Sequence, residues 1–268
     1  MRTVMPAMIW ENLKLVSSKK YRLTQKEAKR IDSLIRYQET ETSFLNKKLR
    51  LVDNRSYLFI RKEIFDLQIY KFNSNRPNPY IIDCGANIGL SIIYFKKLYP
   101  DAEIIAFEPD KKVFDTLRFN VESFELSNVT LLERACWNKE TTLKFCSEGA
   151  DGGRTAIETD SNNLIEVKAV RLREYLKRPV DFLKIDIEGA EIKVLEDCAD
   201  LLPNVEKLFV EYHSFTGQNQ ELSKLLQIIN EAGFRYQVQH VGVFSPNPFI
   251  DIFSMNKMDL QLNIFAYK

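Results

Sequence analysis

Several short apolar runs along the chain each end in an acid. Tyr80-Ile81-Ile82 runs into Asp83, Ile104-Ile105-Ala106-Phe107 into Glu108, and residues 180–185 into Asp186. Short apolar runs bounded by turn signals fit buried parallel strands. A helical pattern follows each one: residues 90–98, residues 110–124, and a stretch starting near Gly189. Residues 129–133 and 205–211 add two more strands. A helix over 219–232 stops at Gly233, a common C-terminal signal. Residues 234–244 and 261–267 close the chain as a strand pair. This alternation predicts an α/β fold around a mostly parallel sheet. Residues 142–146 and 164–170 read as strands outside the main set. The long polar loop between them (147–163) and the one opening at Ser245-Pro246-Asn247-Pro248 are candidate substrate loops.

The pattern changes before residue 79. Thr24-Gln25-Lys26-Glu27 reads as a capping box opening a helix, with Ala28, Ile31, Leu34 and Ile35 on one face. Residues 48–52 and 57–60 read as two strands joined by the polar turn Asp53-Asn54-Arg55-Ser56. Residues 62–72 read as a helix with Ile64, Phe65, Leu67 and Ile69 available for burial. The polar stretch 73–79 carries Pro77 and Pro79 and marks the expected boundary. The expected division is an N-terminal helical and hairpin extension over 1–78 and a Rossmann-like domain over 79–268.

The chemistry concentrates in the turns. Asp83-Cys84-Gly85-Ala86-Asn87-Ile88-Gly89 has the order D-x-G-x-x-x-G, not the G-x-G-x-x-G that seats a pyrophosphate on a helix N-terminus. An acid at the strand end repels a pyrophosphate and suits a cation, and S-adenosylmethionine carries both a sulfonium and an ammonium. Glu108 lies 23 residues past Gly85, near the spacing at which nucleotide folds place a ribose-binding acid. One carboxylate can accept from both ribose hydroxyls. The competing reading is that Asp83 and Glu108 cap the helices that follow. Arg134-Ala135-Cys136-Trp137 falls where the adenine edge of a nucleoside would lie, with Trp137 as wall or core. In Lys184-Ile185-Asp186-Ile187-Glu188-Gly189-Ala190-Glu191, Asp186 and Glu188 point toward the crevice at the strand ends. A structural reading pairs Lys184 with an acid and turns Glu191 to solvent, but it leaves Asp186 unexplained. His213 follows a central strand at the ligand end, whereas His240 is expected to pack.

Bulk properties narrow the classes. A net charge of +1 gives no footprint for nucleic acid. Four scattered cysteines lack metal spacing and fit free thiols in a reducing cytoplasm. The apolar patch at residues 4–10 contains Pro6 and is too short to span a membrane. The amphipathic N-terminal helix is available for a homodimer contact.

Together the motifs resemble the FkbM-type S-adenosylmethionine-dependent methyltransferases. The resemblance runs from about residue 78 to the end and rests on the Asp83–Gly89 turn, Phe107-Glu108-Pro109, the K-I-D-x-E-G-A-E string and Glu211-Tyr212-His213. It implies a class I sheet of seven strands, the last antiparallel, and O-methylation of a small-molecule or glycan acceptor such as a sugar, glycolipid or secondary metabolite. Carried over, Asp83, Gly85, Ala86, Asn87 and Gly89 would hold the methionyl part. Glu108 and Pro109 would flank the ribose, and Ala135 and Cys136 the base. Asp186, Glu188, Glu211 and His213 would face the transferred methyl, with His213 or Asp186 as general base. In a variant, Asp186, Glu211 and His213 hold Mg²⁺ or Mn²⁺. The rivals are a nicotinamide-dependent oxidoreductase and a non-catalytic nucleoside-binding protein.

Overall fold

A computed structural model describes residues 23–147, 154–155, 164–242, 245–254 and 257–268. The apolar patch at 4–10, most of the 147–163 loop and the side chain of Arg154 lie outside the described residues. The chain opens with α1 (Gln25–Asp32), capped by Thr24, whose hydroxyl accepts from Glu27 N–H at 3.2 Å. The helix stops at Asp32, so Leu34 and Ile35 fall beyond it. Ile31 alone of the expected face is fully buried, and Ile35 is 70% exposed.

The expected hairpin of residues 48–52 and 57–60 is not what forms. The antiparallel pair is β1 (Thr40–Phe44) with β2 (Lys47–Leu51), and residues 57–60 belong to α2 (Asn54–Arg61). Asp53 decides this. Its carboxylate accepts from Ser56 N–H and Ser56 Oγ at 3.0 and 2.9 Å, so the polar stretch is a helix cap rather than a hairpin turn. Arg36 and Tyr37 N–H bind the same carboxylate at 2.9 Å each. The helix then widens into a π turn, Lys62–Asp66, and ends there, so residues 62–72 are not one regular helix.

Burial alone would raise the Asp53 carboxyl, but Arg36 and the Ser56 and Tyr37 N–H groups outweigh it and hold it well below its ordinary 3.8. The stability it lends is therefore intact above that value and is lost progressively below it, down through the lowered pKa of the folded state. Asp53→Ala is expected to cost about 2–4 kcal/mol at neutral pH, read from urea midpoints. A difference that persists unchanged at pH 2.5 would contradict the charged cap.

The remainder follows the sequence pattern closely. It runs β3 (Tyr80–Cys84), α3 (Leu90–Leu98), β4 (Glu103–Phe107), α4 (Lys111–Ser123), β5 (Val129–Leu132), β6 (Ala135–Trp137), β7 (Thr141–Cys146), β8 (Arg154–Thr155), β9 (Leu164–Arg171), β10 (Phe182–Ile185), α5 (Glu191–Cys198), β11 (Lys207–Phe215), α6 (Leu222–Glu231), β12 (Arg235–Val241) and β13 (Met258–Tyr267). Seven strands form the main sheet in the order β12-β13-β11-β10-β3-β4-β5. All are parallel except β13, which runs antiparallel between β11 and β12. β6 to β9 form a separate four-stranded sheet.

Strand alternation sorts the core into two faces. Tyr80 and Ile82 pack toward α5 and α6. Ile81 packs toward α3, α4 and the N-terminal segment, which shares that core through Ile31, Phe44, Leu49, Phe65 and Tyr70. The Tyr70 ring meets Phe209 edge-on at 4.9 Å, and Phe72 meets Phe182 at 4.8 Å. Asn120 of α4 stitches the same junction, donating to Arg50 O and to Ile88 O at 2.9 and 2.8 Å.

Candidate active site

Backbone bonds bring the turns at the carboxyl end of the sheet together. Gly85 and Ala86 N–H donate to Phe107 O at 3.0 and 2.9 Å, and Asp186 N–H donates to Cys84 O at 3.2 Å. Gly85 has φ +84°, and a Cβ there would stand 1.8 Å from the Asp186 carbonyl oxygen. The turns after β3 and β10 are thus in main-chain contact, which only glycine permits. Above them opens a cleft of about 1140 Å³, its mouth included. Ala86, Phe107, Ala135, Cys136 and Ile187 give it an apolar lining, to which Ile60, Ile64 and Tyr70 of the N-terminal segment add.

Glu108 marks one end. Its two carboxylate oxygens accept from Asn87 and Asp110 N–H at 3.0 Å each. That grip fixes the orientation of the carboxylate and leaves each oxygen a lone pair for a ligand. Burial pushes its pKa up to about 8, against the pull of the Asp110 and Asn87 N–H groups.

The other end gathers Glu63, Asp186, Glu188 and Glu211. Burial raises the Glu211 carboxyl well above the ordinary range, and the Asp186 charge adds to it. Gln261 donates to Glu211 Oε1. His213 lies inside β11 rather than after it, and its ring is buried behind these acids. Burial opposes its protonation, but Glu188 and Glu191 outweigh that and hold it well above 6.5. Nδ1–H donates to Glu191 Oε1 at 2.9 Å, and Nε2 stands 3.6 Å from Glu188. Glu191, expected at the surface, is buried instead. It also accepts from Gly189 N–H at 3.0 Å and ties the turn to the ring. Asp186, Glu211 and His213 offer donor atoms within 4.8 Å of one another, the set that would hold a divalent metal ion.

Lys184 forms part of the floor, 3% exposed at its side chain. Its ammonium donates to Gly85 O at 2.7 Å and pairs with Asp83 at 3.3 Å and Asp186 at 3.1 Å. Ser91 Oγ donates to the second Asp83 oxygen. Asp83 is fully buried, so the cation it meets comes from the protein itself.

Gly85, Ala86, Asn87, Glu108, Pro109, Ala135, Cys136, Asp186, Glu188 and Glu211 all line the cleft. Asp83, Gly89 and His213 stand behind that lining. Trp137 is buried beneath Lys193, whose ammonium lies 4.6 Å from its ring centre, and belongs to the core. His240, expected to pack, is exposed on β12. The sequence reading missed Glu63 and its neighbours Phe59, Ile60, Ile64 and Tyr70. The π turn shifts the helix face, and a regular period cannot place a side chain across such a shift.

A seven-stranded sheet with its final strand inserted antiparallel, under a cleft at the strand ends, is the class I methyltransferase fold. A family model described as the methyltransferase FkbM domain matches residues 83–236, more than half of the 268 residues. The chain belongs to that family. It is 33% identical to methyltransferase sdnD of Sordaria araneosa, over 63% of this chain and 80% of that one. It is 26% identical to the 31-O-demethyl-FK506 methyltransferase FkbM of Streptomyces tacrolimicus, over 63% and 79%. It is 25% identical to the 2-O-methyltransferase NoeI of Sinorhizobium fredii, over 57% and 72%.

Proposed function

We propose that the chain transfers a methyl group from S-adenosylmethionine to a hydroxyl oxygen of a small-molecule or glycan acceptor. The observation that carries this is the charge layout of the cleft. Glu108, an oriented carboxylate, follows β4, the acids Asp186, Glu188 and Glu211 gather at β10 and β11 on the other side of β3, and the apolar Ala135 and Cys136 stand on β6. Those three parts complement, in turn, a ribose diol, a cationic sulfonium with its ammonium, and an adenine ring. Gly85, Ala86 and Asn87 hold the methionyl part, with Asp83 and Gly89 supporting their turn from behind. Ala135 and Cys136 border the base, and Asp186, Glu188 and Glu211 face the reacting end. Two relatives named for acceptors methylated on oxygen support the choice of atom.

The bound donor supplies an electrophilic methyl on a good leaving group, so the protein's task is alignment. His213 donates to Glu191 at 2.9 Å and stands 3.6 Å from Glu188. Its part is to hold Glu191, Glu188 and the Gly189 turn in place.

Calorimetry with S-adenosylhomocysteine tests the cofactor assignment. Glu108→Gln is expected to weaken binding about 10–100-fold. Because the diol donates to the charged carboxylate, wild-type affinity should rise as the pH approaches 8 and then level, and the variant should lose that dependence. Unaltered affinity in the variant would refute the ribose role. Labelled methyl transfer to hydroxylated compounds of a cell extract tests the reaction itself, and label found only on nitrogen, sulfur or carbon would refute O-methylation.

A further inference from the structure

The proposed reaction leaves open which group removes the acceptor's proton, and the structure assigns that role to Glu63 of the N-terminal segment. The inference rests on the O-methylation reading. Each other acid lining the cleft is already committed, Asp110 as the cap of α4 through Lys112 and Val113 N–H. Glu108 is gripped by two backbone N–H groups at the ribose end. Asp186 is paired with Lys184 at 3.1 Å. Glu211 accepts from Gln261, and Glu188 lies 3.6 Å from the His213 ring. Glu63 differs from all of them. Its carboxylate has no hydrogen-bond or ion-pair partner among the described residues, yet it is partly buried and lines the cleft.

Its position suits the task. Glu63 lines the cleft from the π turn Lys62–Asp66, between Ile60 and Ile64 in sequence and within reach of the charges of Asp186 and Glu211. Single π turns inside helices recur at functional sites, where they redirect a side chain. An acceptor entering between that π turn and the Asp186 turn would bring its hydroxyl against this carboxylate. Lys62 on the same turn, Asp186 on the β10 turn and Glu211 on β11 are the charged groups that act on it. Burial and the Asp186 charge push its pKa up to about 7, near the optimum for a base at neutral pH.

The step balances simply. The acceptor O–H gives its proton to a Glu63 oxygen while the oxygen's electron pair forms the new O–CH₃ bond. The C–S bond of the sulfonium breaks and its electrons remain on sulfur, leaving a neutral thioether. The proton on Glu63 leaves to water after product release.

Two measurements test the assignment. In the first, the protein is treated with a water-soluble carbodiimide and glycine ethyl ester, with and without S-adenosylhomocysteine, and the labelled peptides are read by mass spectrometry. Glu63 should be modified in both cases, because it faces the acceptor side. Protection by S-adenosylhomocysteine, or no modification in either, would overturn the assignment. In the second, labelled methyl transfer to extract hydroxyl compounds is compared for wild type, Glu63→Gln and Glu63→Asp. Glu63→Gln should lose about 10²–10³-fold in turnover and keep its thermal midpoint and S-adenosylhomocysteine affinity, and Glu63→Asp should recover part of the loss. Full turnover in Glu63→Gln overturns the base and leaves O-methylation standing. Wild type that methylates no oxygen overturns both.

Discussion

Gly85→Ala is expected to give a protein that binds no S-adenosylhomocysteine and unfolds at least about 3 kcal/mol more readily than wild type. Two penalties add. The backbone there is left-handed, a region that costs any residue with a Cβ about 1–2 kcal/mol. The larger penalty is spatial, because the added carbon would stand 1.8 Å from the Asp186 carbonyl oxygen. That atom belongs to the main chain, so no side chain can rotate away to relieve the contact. The turns after β3 and β10 must part, and the Gly85 carbonyl then leaves the Lys184 ammonium, 2.7 Å away in wild type. Denaturant midpoints and calorimetry on the purified variant check this. A wild-type midpoint with full affinity would show that the two turns are not in the contact described.

Lys184→Met should be almost as damaging, by a different route. One ammonium serves Asp83, Asp186 and the Gly85 carbonyl. Removing it leaves the fully buried Asp83 carboxyl without its cation, with Ser91 as its hydrogen-bond partner. Breaking a buried pair by removing one partner costs about 3–5 kcal/mol. The double variant Lys184→Met/Asp83→Asn removes the stranded carboxyl and should recover part of that loss, and the size of the recovery measures the coupling. No recovery would mean that the lysine acts mainly through the backbone carbonyl. In wild type, burial opposes the Lys184 charge, but Asp186 and Asp83 hold its pKa well above 10.5. Its contribution is therefore intact at every pH below that value and is lost only in strong alkali.

The parts of this molecule that could be read from its residues are the parts where local pattern and tertiary role agree. β3 and β4 are short apolar runs ending in Asp83 and Glu108, and burial on both sheet faces produces that pattern. The glycine turn and the K-I-D-x-E-G-A-E string were legible because their acids sit where chain reversal demands polar residues. Three readings failed for reasons of packing. Asp53 looked like part of a hairpin turn, because a cap and a turn use the same residue types. Glu191 looked exposed, because nothing local announces that His213, 22 positions later, will meet it. Asp83 looked free for a ligand, because its partner Lys184 is 101 positions away in sequence and one strand away in space. Glu63 could not be found by period at all, since the π turn alters the face on which it falls.

The aromatic seam that fastens residues 70–72 to the underside of the sheet bears on how such enzymes diversify. Tyr70 and Phe72 anchor on Phe209 and Phe182, and Tyr70 carries that anchor up to the cleft wall. Changes at Phe59, Ile60 or Ile64 would recut that wall while the seam and the donor's seat stayed as they are. New acceptors can thus be tried without risking the chemistry already in hand.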